Sequence, residues 1–127
     1  MIILNKTIKM KSKFKKENPD KKKRKELSES LIKENPGKIP VIFEKEETSK
    51  LEDIQKTRYL LDENFTVGDF LKMVRKHMKL NEGEALYLSV KAKYNLTSEK
   101  VMGDIYQLYK DNDGFLYIMY SSQVIMG

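Results

Sequence analysis

The residue types that carry most enzymatic chemistry are scarce in this chain. Its 127 residues include one histidine, His77, and no cysteine. Thiol nucleophiles, thiolate metal sites and disulfides are therefore excluded, and the missing cysteines agree with a reducing compartment. His77 stands among Arg75, Lys76 and Lys79, whose charges oppose the protonated ring that a general base must reach. A hydroxyl nucleophile would depend on that one ring, and no Gly-x-Ser-x-Gly turn accompanies it. Asp111-Asn112-Asp113-Gly114 has the look of a calcium loop's first residues. Ser121 and Ser122 stand where a bidentate carboxylate is needed, so the segment reads as a turn before a strand. No glycine-rich phosphate loop is present. The remaining candidate is Gly127, the last residue. A terminal glycine presents a carboxylate with no side chain beside it. The residues lend no support to enzymatic chemistry, so the chain is expected not to be an enzyme and to have no cofactor or metal of its own.

The elements that would present Gly127 follow from charge and periodicity. A length of 127 residues fits one domain with an appendage. Residues 1–38 carry 13 Lys and Arg against 5 Asp and Glu, whereas residues 39–127 carry 12 against 14. The basic character belongs to the N-terminal segment, which suits acidic surfaces. The cluster from Lys9 to Lys25 lacks the aromatic interleaving that base stacking needs, apart from Phe14, so no nucleic acid is expected. The apolar opening Met1-Ile2-Ile3-Leu4 is too short for a secretory signal, which predicts a cytoplasmic protein.

Residues 1–12 show neither period nor turn chemistry and are expected to form a loose tail. Asn18 as cap and Pro19 at the first helical position predict a basic helix with a stripe at Leu27, Leu31 and Ile32. Asn35-Pro36-Gly37 ends this N-terminal segment, residues 13–37. Ile39–Phe43 reads as a strand that Pro40 should keep from the middle of a sheet. Thr57–Leu61 is a second strand. Val67, Phe70, Leu71, Val74 and Met78 then fall at helical spacing behind Thr66 as cap. Leu86–Val90 is a third strand. Thr97-Ser98 introduces a helix through Met102, Ile105, Leu108 and Tyr109, and Phe115–Tyr120 is the last strand. The order predicts an α+β layer with a four-stranded mixed sheet over residues 38–120, followed by a flexible tail, 121–127.

Three stretches carry a resemblance. They are Asn35-Pro36-Gly37-Lys38-Ile39-Pro40-Val41-Ile42-Phe43-Glu44-Lys45, Tyr59-Leu60-Leu61 leading into Phe65-Thr66-Val67-Gly68-Asp69-Phe70, and Phe115-Leu116-Tyr117-Ile118-Met119-Tyr120-Ser121. With their order, the chain from about Phe14 to Gly127 resembles the autophagy ubiquitin-like modifiers, the family of GABA-receptor-associated protein and microtubule-associated protein light chain three. The resemblance implies a β-grasp, ubiquitin-like fold with two additional N-terminal helices, around Phe14–Glu17 and Pro19–Glu34. It implies conjugation of Gly127 to phosphatidylethanolamine by ATP-using activating and carrier enzymes, with a cysteine protease for processing or deconjugation. The conjugate would sit on the autophagosome membrane.

The resemblance also implies capture of cargo receptors carrying an acidic aromatic-x-x-aliphatic motif. The peptide would add a strand beside Lys56–Leu61. Leu31, Pro40, Arg58, Leu60 and Phe115 would form the aromatic pocket, and Tyr59, Leu61, Phe65, Phe70 and Met73 the aliphatic one. Lys38, Lys56 and Arg58 would meet the acids. The sequence departs from the family at Leu27, where an acid is usual, at Lys38 for arginine, at Asp62 for proline and at Ser89 for an aromatic. Two alternatives share these features: a modifier of the same process joined to a protein lysine, and an unconjugated adaptor whose basic N-terminus docks tubulin or acidic membranes.

Overall fold

The computed structural model describes residues 12–81 and 83–124. Two helices come first, α1 (Lys13–Glu17) and α2 (Lys21–Glu34). Ser12, which the sequence places in the tail, caps α1 by accepting from Lys15 N. Asn18 does not start α2 as expected. Its side chain donates to Phe14 O and closes α1, while Asp20 caps α2 by accepting from Lys22 N and Lys23 N. A carboxylate at this position also faces the positive end of the helix dipole.

Strands β1 (Lys38–Lys45), β2 (Arg58–Asp62), β3 (Tyr87–Val90), β4 (Tyr94–Leu96) and β5 (Leu116–Ser121) form one sheet in the order β2-β1-β5-β3-β4. The sheet has five strands instead of four. The additional strand, β4, folds back on β3 through a tight turn in which Lys91 and Ala92 both hold positive φ, 59° and 53°. Only β1 and β5 run parallel.

Pro40 also corrects an expectation, because β1 lies between β2 and β5. Phe43 N donates to Thr57 O and Glu63 N to Gly37 O, so odd-numbered residues of β1 bond to β2 and the nitrogen of Pro40 points toward β5. The pairing with β5 begins one residue later, at Val41 opposite Leu116. The missing donor therefore falls just before the ladder that would have required it.

Two helices complete the fold. In α3 (Val67–Arg75), Thr66 Oγ1 accepts from Asp69 N while the Asp69 carboxylate accepts from Thr66 N, a reciprocal cap. The helix ends at Arg75, short of Met78, though Met78 still packs on the core. The last helix, α4 (Met102–Tyr109), starts later than Thr97-Ser98 suggests and turns Leu108 outward, 73 % exposed. Its buried face carries Met102, Ile105 and Tyr106.

One face of the sheet carries Val41, Phe43, Tyr59, Leu61, Leu116, Ile118 and Tyr120, packed with Val67, Phe70 and Val74 of α3. The opposite face packs Ile42 and Phe115 against Phe14 of α1, with Leu31 of α2 and Tyr117 at the margin. A buried polar knot fixes α2 there. Arg24 Nε donates to Asp113 Oδ2 at 2.8 Å, Ser28 Oγ donates to Asp113 O at 2.6 Å, and the Tyr117 hydroxyl donates to the same carboxylate. Gly114, at φ +86°, permits the approach: a Cβ there would lie 2.2 Å from Ser28 Oγ.

Candidate functional site

Among the described residues, strand β2 lies at one end of the sheet and has a partner on one side only. Its odd residues bond to β1, as the Thr57 and Glu63 hydrogen bonds show. The backbone groups of Arg58 and Leu60 and the N–H of Asp62 therefore point outward, the pattern that accepts an added strand, while the Asp62 carbonyl accepts from Phe65 N. The side chains of these three residues lie on the face that holds α1 and α2, and those of Tyr59 and Leu61 on the core face.

Leu31, Pro40, Arg58, Leu60 and Phe115, the residues expected to form the aromatic pocket, lie on the sheet face that carries α1 and α2. Pro40 is buried opposite Leu60, its cross-strand neighbour, which is half-buried. Phe115 is 3 % exposed and meets Phe14 edge-on at 5.0 Å between ring centres. Leu31 of α2 packs over this cluster. The Arg58 guanidinium lies 4.8 Å from the centre of the Phe14 ring, so a residue read from sequence as an acid-binding cation also rests on an aromatic face. The sequence reading missed Phe14, Ile42 and Tyr117 as the floor of this pocket. The alternation of β1 was the available signal for Ile42, since it must face away from Val41 and Phe43.

The expected aliphatic pocket is divided. Tyr59, Leu61 and Phe70 are 6 %, 3 % and 0 % exposed and belong to the main core. The Phe70 ring sits 5.4 Å from Tyr59 and 5.0 Å from Phe43. Only Phe65 and Met73 of the five are half-buried and able to offer surface. The Tyr59 hydroxyl is buried with no hydrogen-bond partner among the described residues, and burial pushes its pKa up.

The cations are at the surface. Lys56 is exposed with Nζ 5.0 Å from the Tyr59 ring centre, and Lys38 is exposed opposite Asp62. Gly127 lies outside the described residues. His77 is exposed in the turn after α3, and no cluster of described residues could hold a metal ion. Among the departures, Leu27 is 39 % exposed on α2 and Ser89 is 4 % exposed in β3. A groove of about 860 Å³ runs along α1 between Lys13, Lys16, Lys91 and Met119. None of the expected peptide-binding residues lines it, so the case for the β2 edge rests on strand geometry and not on a preformed cavity.

A mixed sheet crossed by α3 on one face and carrying two N-terminal helices on the other is the ubiquitin-like fold in its N-terminally extended form. Residues 23–127 match the family model described as autophagy protein Atg8 ubiquitin like, and the chain belongs to that family. It is 41 % identical over 118 residues to autophagy-related protein 8 of Kluyveromyces lactis, covering 93 % of this chain and 94 % of that protein. The counterpart from Coccidioides immitis is 40 % identical, covering 93 % and 99 % of the two chains. The crystal structure of Trypanosoma brucei ATG8 superposes with a TM-score of 0.83 at 31 % identity over 93 % of this chain and all of the other. Plasmodium falciparum Atg8, solved in complex with an Atg3 peptide, gives 0.79 at 31 % identity over 92 % and 100 %. Among the described residues, no helix is long and apolar enough to cross a membrane.

Proposed function

We propose that this chain is a non-enzymatic modifier of autophagy that is joined through the carboxyl of Gly127 to phosphatidylethanolamine and recruits proteins by adding an acidic aromatic-x-x-aliphatic peptide to β2. The open β2 edge beside the apolar side chains of Leu31, Pro40, Leu60 and Phe115 carries the reading. The peptide-bound relative from Plasmodium falciparum supports a peptide-binding role, with enzymes of the conjugation system among the partners. The chain itself acts as the activated substrate, in the cytoplasm before conjugation and on the autophagosome membrane after it. A processing or deconjugating cysteine protease, cargo receptors and tubulin complete its partners, the last through the exposed Lys21, Lys22, Lys23 and Lys25 of α2.

The test has two arms. Titration of the chain with such a peptide should give a Kd of about 1 μM, since two buried anchors contribute roughly 1.5 to 3 kcal/mol each and strand pairing adds to them against ordering costs. Amides of Lys56, Arg58 and Tyr59 should move most, and perturbation of a distant face would overturn the edge assignment. In the second arm, the chain ending at Gly127 is incubated with matching activating and carrier enzymes, ATP and phosphatidylethanolamine vesicles. A lipid adduct by mass spectrometry, lost on deletion of Gly127 and slowed by Gly127→Ala, supports conjugation. No adduct from the unaltered chain, while a known modifier succeeds with its own enzymes, overturns it.

A further inference from the structure

The β2 edge is electrically polar along its length. It begins at Lys56 and Arg58, both exposed, and ends at Asp62 and the exposed Glu63. Arg58 and Asp62 are four residues apart, about 13 Å in an extended strand. Because the side-chain period is two, Arg58, Leu60 and Asp62 share one face, and a strand laid alongside meets them at every second residue.

Asp62 alters this edge in two ways that a proline there could not. Its backbone N–H points outward, since the neighbouring Glu63 N is the one bonded to Gly37 O, and so supplies one more donor to an incoming strand. Its carboxylate is held at the strand end by accepting from Asn64 N at 2.8 Å. Lys38 stands directly across from Asp62 in the register but makes no ion pair with it within 4 Å. The charge of Asp62 is moderated by that neighbour and remains available to a ligand.

We infer that Asp62 is a specificity-determining residue of the peptide edge, selecting ligands with a basic side chain two residues after the aromatic anchor. The inference rests on the proposed binding of peptides at β2. With the aromatic residue beside Leu60, acids two positions earlier face Arg58, and a lysine or arginine two positions later faces Asp62. The preferred peptide is thus acid-x-aromatic-x-base-aliphatic, and its charge order sets it parallel to β2. An acid at the same position would meet Asp62 and Glu63 and be disfavoured.

The experiment uses the whole chain and two synthetic peptides that differ only in Lys or Glu at the second x of aromatic-x-x-aliphatic, with affinities measured by calorimetry at low salt. Exposed ion pairs are individually weak, and attraction in one peptide combined with repulsion in the other gives an expected preference for Lys of about fivefold. Asp62→Asn keeps the oxygen that accepts from Asn64 N and should reduce the preference to under about twofold. Asp62→Pro, which removes the outward donor, should weaken both peptides and abolish the preference. Equal binding of the two peptides to the unaltered chain, or a preference that survives Asp62→Asn, overturns the inference while leaving peptide binding at β2 intact. Failure of both peptides to bind overturns the β2 reading and the inference with it.

Discussion

Replacing Asp113 by Asn should destabilise the protein far more than its position in a surface turn suggests. Asp113 is fully buried, and its side chain accepts from Arg24 Nε at 2.8 Å, from the Tyr117 hydroxyl and from Phe115 N at 2.9 Å. Arg24 is 8 % exposed, and its Nη1 donates to Asn18 O at 2.7 Å. Although desolvation works against it, the hydrogen bond and the charge of Asp113 keep its pKa above the ordinary arginine value. The substitution keeps the volume and removes the counter-charge, leaving a buried cation uncompensated, which costs about 3 to 5 kcal/mol. For a chain of this size that corresponds to a fall in Tm of roughly 10 to 20 °C. Urea and thermal unfolding of both proteins at pH 7 measure it. Because Asp113 holds α2 on the sheet and α2 carries Leu31, a residue of the proposed peptide edge, amide exchange in α2 should rise and, if peptides bind there, their affinity should fall together. A loss under about 1 kcal/mol, or full stability with α2 exchange unchanged, would refute the assignment of α2 docking to this pair.

Three further outcomes are expected. Tyr120→Phe should cost about 1 to 3 kcal/mol in urea unfolding, because the hydroxyl accepts from buried Ile54 N and donates to Glu52 O, and the lost acceptor leaves a buried N–H unpaired; burial also pushes the pKa of this hydroxyl up to about 12, so the bonds should persist at any pH below that. Gly103→Ala should destabilise by about 1 to 3 kcal/mol by thermal melting, since the new Cβ would fall 2.8 Å from Glu63 O at the end of the peptide edge. Hydrogen bonds from Thr66 hold the Asp69 carboxyl below its ordinary value, so its contribution is present above the unfolded value of about 3.9 and is lost as pH falls through the lower folded value; Asp69→Asn should lower Tm at pH 7 and remove that part of the acid sensitivity, so that the two proteins converge as pH falls through that value.

The legible parts of the fold are those where local chemistry and tertiary demand coincide. Thr66 with Asp69 writes a helix start into four residues, and the spacing of Val67, Phe70 and Val74 gives that helix one buried face, as the structure shows. Strand β4 had no such agreement. Lys91-Ala92 lacks the glycine or asparagine that makes left-handed turns recognisable, so the hairpin is sustained by what it brings together: Val90 in the core, and the Tyr94 ring 5.1 Å from Tyr109. Asn18-Pro19 predicted a cap at Asn18; the cap falls at Asp20 because the Asn18 side chain closes α1, a constraint visible only once both helices exist.

The same distinction explains the site. Leu31, Pro40, Leu60 and Phe115 come from four separate segments, and only the family's sequence pattern tied them together before the fold did. Their assembly depends on contacts distant in sequence: Arg24 to Asp113 spans 89 residues, and Ser28 to Asp113 spans 85. Periodicity carries no information about such partners, and both Arg24 and Asp113 look like ordinary surface charges by type. The aliphatic group failed to stay together on the surface for a related reason. Alternation along β2 requires Tyr59 and Leu61 to enter the core if Leu60 is to face α2, and Phe70 closes over them from α3. Peptide capture on that side must therefore use Phe65 and Met73 as they stand or displace the Phe70 ring from its place between Phe43 and Tyr59. The latter would open a void in the main core, so a Phe70→Leu substitution, which creates room there in advance, should lower stability by about 1 to 3 kcal/mol. It should strengthen binding of bulky aliphatic anchors if displacement is required. Unchanged or weaker affinity would show that Phe65 and Met73 alone receive the anchor.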